Sequence, residues 1–267
     1  MEPKVSILMG VYNCEDTLIE SIESIIRQSY TNWELIICDD CSRDNTAAIA
    51  LDYSINFPDK IKFLRNEENL TLGPTLNRCL KEATGKYIAR HDGDDLCDKN
   101  KLEIQVKFLK KNKDIDLVGT AMECFDENGV HGIRKLKEAP VGRDLMRGTT
   151  FCHATIMMKA QVIKALQGYS ENKEARGVED YDLWFRFFHK GYKGINLQEP
   201  LYKVREDRNC YKRKSTKRRV NEIKTMYEGR KLLGLGFTDN KYIVKPMIAA
   251  VVPSKLMMEY QKRKMWK

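Results

Sequence analysis

The 267-residue chain predicts an α/β fold, a mostly parallel sheet flanked by helices, with a basic helical extension at its C-terminal end. Short apolar runs alternate with amphipathic segments across short connections, the pattern of a parallel sheet covered on both faces. Two of the apolar runs end in carboxylate clusters, at the sheet edge where ligands of such folds bind. Charge is split: residues 203–267 hold 19 Lys/Arg and 6 Asp/Glu, a net +13 in a chain of +9, which leaves the body at −4. A basic appendage of this kind is directed at an anionic surface, either nucleic acid or lipid headgroups. A hydrophobic share of 42% excludes a disordered chain or a small disulfide scaffold. No apolar stretch exceeds the six residues 247–252, so no bilayer span is expected. The first apolar run starts too early for a signal peptide. Eight cysteines scattered from Cys14 to Cys210 predict reduced thiols in a cytosol.

Residues 4–10 read as a buried strand, V-S-I-L-M being short, apolar and closed by a Tyr-Asn turn. Leu18, Ile22 and Ile25 at i, i+4, i+7 predict a helix, with Asn13 as its N-cap. Residues 33–39 form a second strand that runs into Asp39-Asp40, followed by a helix over 46–56 and a strand over 61–65. Gly73-Pro74 opens a helix with Leu76, Cys79, Leu80 and Ala83 on one face and Gly85 closing it. Residues 86–92 are a fourth strand leading into D-G-D-D; a helix through Leu102, Val106 and Leu109 and an apolar run over 115–125 follow. Glu179-Asp180 opens an apolar helix bearing Tyr181, Trp184, Phe185 and Phe188, with Gly191 after its end.

Asp92-Gly93-Asp94-Asp95 places three carboxylates within four residues, and these repel unless a cation or solvent compensates. Hard oxygen ligands at a strand end suit Mg²⁺ or Mn²⁺, which keep waters and take phosphate oxygens as further ligands. The plain alternative is a solvated acidic turn. At Asp39-Asp40-Cys41-Ser42 one carboxylate could accept the imide N–H of a pyrimidine ring and its neighbour a ribose hydroxyl, or the segment could simply cap the following helix. Glu179-Asp180 reads either as an acidic helix start complementing the dipole or as a base held at a rigid position facing a cleft. Arg205 and Arg208 could clamp a diphosphate or merely begin the basic tail, and His91 and His153 read first as structural histidines. Cys38-x-x-Cys41 is a poor redox or zinc pair, because Cys38 lies inside a strand and no second cysteine pair completes a site. Glycine-rich phosphate loops, the G-x-S-x-G elbow and H-E-x-x-H are absent.

Taken together and in order, these motifs resemble the family 2 glycosyltransferases of Rossmann-like GT-A fold. The matching pieces are V-S-I-L-M-G-V-Y-N (5–13), the run 24–46 containing C-D-D-C-S, N-L-T-L-G-P-T-L-N (69–77), A-T-G-K-Y-I-A-R-H-D-G-D-D (83–95), H-A-T (153–155) and V-E-D-Y-D-L-W-F-R (178–186). The resemblance implies a catalytic domain over 1–205, with a nucleotide-binding half to about 95 and an acceptor-binding half from about 96; residues 206–267 are the extension. It implies inverting transfer of a hexosyl or N-acetylhexosaminyl group from a UDP-linked donor to an acceptor sugar hydroxyl, in synthesis of a cell-surface polysaccharide. Asp40 looks like the uracil-contacting carboxylate with Asp39 beside it, and Val11, Tyr12 and Asn13 look like the loop framing the base. Asp92 and Asp94 are similar to the D-x-D pair, Asp94 holding Mn²⁺ or Mg²⁺ on the diphosphate and Asp92 near the ribose, with Arg205 also on the nucleotide sugar. Asp180 matches the catalytic base, with Glu179 placing the acceptor. Cys41 stands where the family usually has glycine, and Gly93 where alanine is more frequent.

Two other readings are a sugar-nucleotide nucleotidyltransferase and a nucleic-acid-binding protein. The first expects a glycine-rich basic loop after the first strand, where this chain has V-Y-N-C-E-D; the second rests on K-R-K-S-T-K-R-R (212–219), which no recognition module surrounds. For the tail, Leu256, Met257 and Tyr260 share one helical face among Lys255, Lys262, Arg263, Lys264 and Lys267, with Trp266 at the end. That pattern suits a helix lying in the headgroup layer and places the enzyme in the cytoplasm, peripheral on the inner face of the plasma membrane, near a lipid-linked glycan acceptor. The alternative is packing against the catalytic domain or a second subunit, as in a homodimer.

Overall fold

The computed structural model describes residues 2–206, 216–244 and 247. In chain order the elements are β1 Val5–Val11, α1 Glu15–Ile26, β2 Trp33–Asp39, α2 Thr46–Asn56, β3 Ile61–Arg65, α3 Leu72–Glu82, β4 Tyr87–Arg90 and β5 Leu96–Cys97. There follow α4 Lys101–Lys111, β6 Leu117–Asp126, β7 Gly129–Arg134, β8 Met157–Lys159, α5 Ala160–Ala165, α6 Glu179–His189, β9 Gly194–Arg205 and α7 Thr216–Leu232. One sheet runs β3-β2-β1-β4-β8-β6-β9-β5, with β7 paired to β6. Its first four strands are parallel, as the strand–helix alternation predicts. Beyond β4 the sheet is mixed: β8 is antiparallel to both β4 and β6, whereas β6 and β9 are parallel.

Alternation along the strands sends side chains into two cores. Val5, Ile7 and Met9 pack with Leu18, Ile22 and Leu102 on one face; Leu8 and Ile36 pack with Leu76 and Trp184 on the other. Phe151 anchors the second core, its ring edge-on to Trp184 at 5.3 Å. Helix α7 belongs to that core through Met226, and Asn221 donates to the carbonyls of Lys173 and Arg176, tying α7 to the turn that precedes α6.

Three local expectations need correction. Asn13 does not cap α1: the helix begins at Glu15, and Asn13 takes φ 48°, its side-chain oxygen accepting the Arg43 N–H at 2.9 Å. Gly85 does not close α3, which ends at Glu82; it is small because a Cβ there would lie 2.6 Å from the Ser6 nitrogen. Strand β4 stops at Arg90, two residues short, because residues 92–95 already turn, with Asp95 N–H bonded to Asp92 O at 3.3 Å. Gly191 does end α6, at φ 77°, with Tyr192 N–H bonded to Phe187 O as in a left-handed C-terminal cap.

Candidate active site

The carboxyl ends of β1, β2 and β4 lie side by side, since β1 pairs with both others. At the end of β1, buried Val11 accepts the Asp40 N–H at 2.8 Å, Tyr12 is exposed, and Asn13 N–H donates to Ser42 Oγ at 2.9 Å. The Val11–Tyr12–Asn13 loop and the Asp39–Ser42 turn are therefore stitched into one ledge. Asp39 is fully buried, accepts the Ser42 N–H and meets Arg65 Nε at 3.2 Å. Asp40 accepts from Asn66 Nδ2 at 2.7 Å and from the Leu70 and Thr71 N–H groups at 2.8 and 2.9 Å. A carboxylate offers about four lone-pair directions, so three such bonds hold Asp40 rigid and leave one direction open. Cys41 occupies φ 62°, the left-handed region, which is the physical reason for glycine at this position and costs a non-glycine residue about 1–2 kcal/mol.

The acidic loop after β4 is held from beneath. Ser21 and Thr17 of α1 donate to the carbonyls of Asp92 and Gly93 at 2.8 and 3.0 Å. A Cβ on Gly93 would lie 2.8 Å from Val11 Cγ1, so the loop seats directly on the Val11–Asn13 ledge and alanine does not fit there without movement. Asp92 pairs with buried Arg90, and its N–H donates to Tyr202 Oη at 3.1 Å. Asp95 is buried and accepts the Arg205 N–H at 2.8 Å; burial and the neighbouring Asp92 and Asp94 push its carboxyl well above the usual range. Asp94 is half-buried in the same turn.

Arg205, expected on the nucleotide sugar, reaches the acidic loop itself. Its Nε donates to the Asp94 carbonyl at 3.0 Å, Nη2 meets Glu20 at 2.8 Å, and the guanidinium lies 4.6 Å from the Phe125 ring centroid. In this arrangement it braces the back of the acidic loop. Arg208 lies outside the described residues. For a divalent cation the donor set fits in a specific way. Among the described residues no three ligating side chains converge, but Mg²⁺ and Mn²⁺ need only one or two carboxylates when phosphate oxygens complete the shell.

Gly177 at φ 78° turns the chain into α6, which presents Glu179 and Asp180 in its first turn. Burial raises both carboxyls; for Glu179 the adjacent Asp180 adds to the effect, while for Asp180 the Tyr181 amide, Arg218 and Arg90 oppose it. Asp182, two positions on, pairs with Arg186 at 2.8 Å. Tyr169 joins the two sides: its hydroxyl is bonded to His153 Nε2 at 2.8 Å and lies within the fields of Arg90, Asp180, Glu179 and Asp92 at once. His91 is buried and His153 half-buried; desolvation lowers both well below the usual histidine range, with Arg90 acting on both and Lys101 on His91 as well. Both stay neutral near pH 7, which favours their structural reading.

Sequence reasoning missed Arg90, Tyr169, Tyr202 and Asn66. Arg90 carried a usable signal, an arginine ending an apolar strand just before a carboxylate cluster. The others carried none, because their partners are remote; Asn77 binds both the amide and the carbonyl of Tyr169 across 92 residues.

A carboxylate ledge, an acidic loop at the next strand end and an acid pair opening a helix are the features of a glycosyltransferase of GT-A fold. The chain belongs to the glycosyl transferase family 2, whose model matches residues 6–165. It is 49% identical to EpsE of Bacillus subtilis, described as a glycosyltransferase, over 98% of this chain and 94% of that protein. It is 33% identical to the Escherichia coli UDP-Glc:alpha-D-GlcNAc-diphosphoundecaprenol beta-1,3-glucosyltransferase WfgD, over 67% of this chain and 68% of that one. Among solved structures, S. aureus TarS in complex with UDP-GlcNAc shares the fold at TM-score 0.65 and 18% identity, covering 86% of this chain and 70% of that one. The mannosyltransferase PcManGT from Pyrobaculum calidifontis, in complex with GDP-Man and Mn²⁺, does so at TM-score 0.65 and 16% identity, covering 100% and 81%.

Proposed function

We propose that the chain transfers a hexosyl or N-acetylhexosaminyl group from a UDP-linked donor to an acceptor sugar hydroxyl, with inversion, in bacterial surface-polysaccharide synthesis. The observation that carries this is the adjacency of the β1, β2 and β4 ends, which brings the Asp39–Asp40 turn and the Asp92–Asp95 loop to one sheet edge in a family 2 glycosyltransferase chain. Asp40 and the Val11–Tyr12–Asn13 loop receive the uracil, with Asp39 behind them, and Asp92 receives the ribose. Asp94 would hold Mn²⁺ or Mg²⁺, which, when bound, neutralises the charge developing on the departing diphosphate. Asp180 takes the proton of the acceptor hydroxyl as its oxygen bonds to the anomeric carbon; the bond to the UDP oxygen breaks on the opposite face, so one displacement inverts the centre. Glu179, beside it, places the acceptor.

Residues 1–205 read as the catalytic unit and 206–267 as the basic extension. The name of WfgD, with its diphosphoundecaprenol-linked acceptor, supports a lipid-linked glycan here, and the +13 of residues 203–267 supports a cytoplasmic enzyme on the inner membrane face. No helix among the described residues is long and apolar enough to cross a membrane. The helix expected around Leu256–Tyr260, together with Trp266, lies outside the described residues. The deciding experiment offers the purified chain each nucleotide sugar with Mn²⁺ and records thermal stabilisation and donor hydrolysis. A response to UDP sugars supports the reading, and a response to none of them ends it.

A further inference from the structure

Arg90 ends β4 in the middle of the sheet and is 1% exposed. A guanidinium so placed is costly unless its charge is paired and its donors are met. One nitrogen pairs with Asp92 and another donates to the His91 carbonyl, but Nε is buried with no partner among the described residues. A purely structural arginine is normally satisfied throughout, so this partial satisfaction asks what else holds the ion there. Its partner Asp92 is one-third exposed, so the ion pair runs from the core to the cleft wall. The same loop is held by Tyr202, whose hydroxyl accepts the Asp92 N–H at 3.1 Å.

We propose that Arg90 is a positioning residue for the donor loop. It fixes the donor-side Asp92 by a direct ion pair and sets a buried positive charge behind the loop's carboxylates. The inference rests on the reading of Asp92 given above. Losing the ion pair frees Asp92 to rotate, which weakens nucleotide binding. Losing the charge leaves the loop less able to balance the negative charge that develops on the departing diphosphate, which slows transfer. The two effects are separable because a lysine restores the charge without the planar fork that fixes a carboxylate.

The test measures UDP binding by calorimetry in Mn²⁺, and kcat and KM for the responding donor. The proteins are the wild-type chain, Arg90→Met, Arg90→Lys, Asp92→Asn and the double variant Arg90→Met/Asp92→Asn. Arg90→Met is expected to weaken UDP about tenfold, the loss of one charge-assisted hydrogen bond, and to lower kcat as well. Arg90→Lys is expected to recover kcat more fully than UDP affinity. The double variant should bind UDP no more weakly than Asp92→Asn alone, because the second change removes a partner already lost. Additive losses, or UDP affinity and kcat of Arg90→Met within twofold of wild type, overturn the inference. Should Arg90→Met not fold, Arg90→Lys decides: unchanged UDP affinity overturns the proposal and weaker affinity with retained kcat supports it. A wild-type chain that binds no UDP, or an Asp92→Asn that binds it as wild type does, brings down the underlying reading and this one together. Normal UDP binding with an indifferent Arg90 brings down this one alone.

Discussion

Asp94 and Asp180 face opposite demands. Asp94 is half-buried in the turn after β4, and the proposed reading gives it the cation that arrives with the nucleotide. Asp94→Ala should lower turnover by about 10²-fold or more, the scale of one lost electrostatic stabiliser, with the melting temperature unchanged. Titration of activity with Mn²⁺ checks it, and full turnover in excess chelator counts against it. Asp180→Asn should keep UDP affinity and lose about 10²–10⁴-fold in transfer, because an amide accepts no proton. Burial raises the Asp180 carboxyl, so its ionised fraction falls as pH drops through a value above the usual aspartate figure of about 4. The wild-type rate should therefore decline on the acid side while ordinary aspartates are still charged. A loss under tenfold in Asp180→Asn transfers the role to Glu179, whereas a pH profile flat down to pH 4 counts against both acids, since burial raises each of them. These acids stood out in the sequence as runs at strand and helix ends, and only the order of the motifs around them favoured a site over a solvated turn or a dipole-complementing helix start. The groups that hold them did not: Asn66 reaches Asp40 across 26 residues and Tyr202 reaches Asp92 across 110.

Elements were read well where periodicity was strong and poorly at their ends. Leu18, Ile22 and Ile25 do line the buried face of α1, yet the residue expected to cap it instead folds back to Arg43 in a left-handed conformation. Asn13 satisfies both roles on paper, and only its contact with a loop 30 residues away decides between them. Three-residue β8 carries no period at all, so its antiparallel insertion between β4 and β6 could not be read from the chain. The packing of α7 on α6 was equally silent, although it is tight. A Cβ on Gly229 would lie 2.3–2.5 Å from three carbons of the buried Phe185 ring. Gly229→Ala should therefore destabilise the protein: the overpacking cost of about 1–3 kcal/mol exceeds the roughly 1 kcal/mol that alanine gains in a helix. Urea unfolding reads the sign, and a higher midpoint for the alanine variant would contradict the packing.

For the whole molecule, charge asymmetry was the clearest message of the sequence, and the described part of the tail agrees with it. Helix α7 carries Lys217, Arg218, Arg219, Lys224, Arg230 and Lys231, and exposes Val220 and Tyr227. At roughly 1 kcal/mol per basic residue near an anionic leaflet, a few such contacts hold an enzyme reversibly. Full-length protein should co-sediment with anionic vesicles at low salt and be released at high salt, whereas a chain ending at Lys245 should bind less. If both stay in the supernatant, the tail is a packing or assembly element. Either way, the close approach of Gly229 to Phe185 has a consequence for how the two ends of the protein communicate. Phe185 follows Asp180 by five residues, about 7.5 Å along one rigid helix. Any partner that prefers one seating of α7 over another therefore also chooses among positions of the base, and linkage makes that choice mutual. Vesicle affinity, measured with and without a bound acceptor, becomes a thermodynamic gauge of how Asp180 is seated.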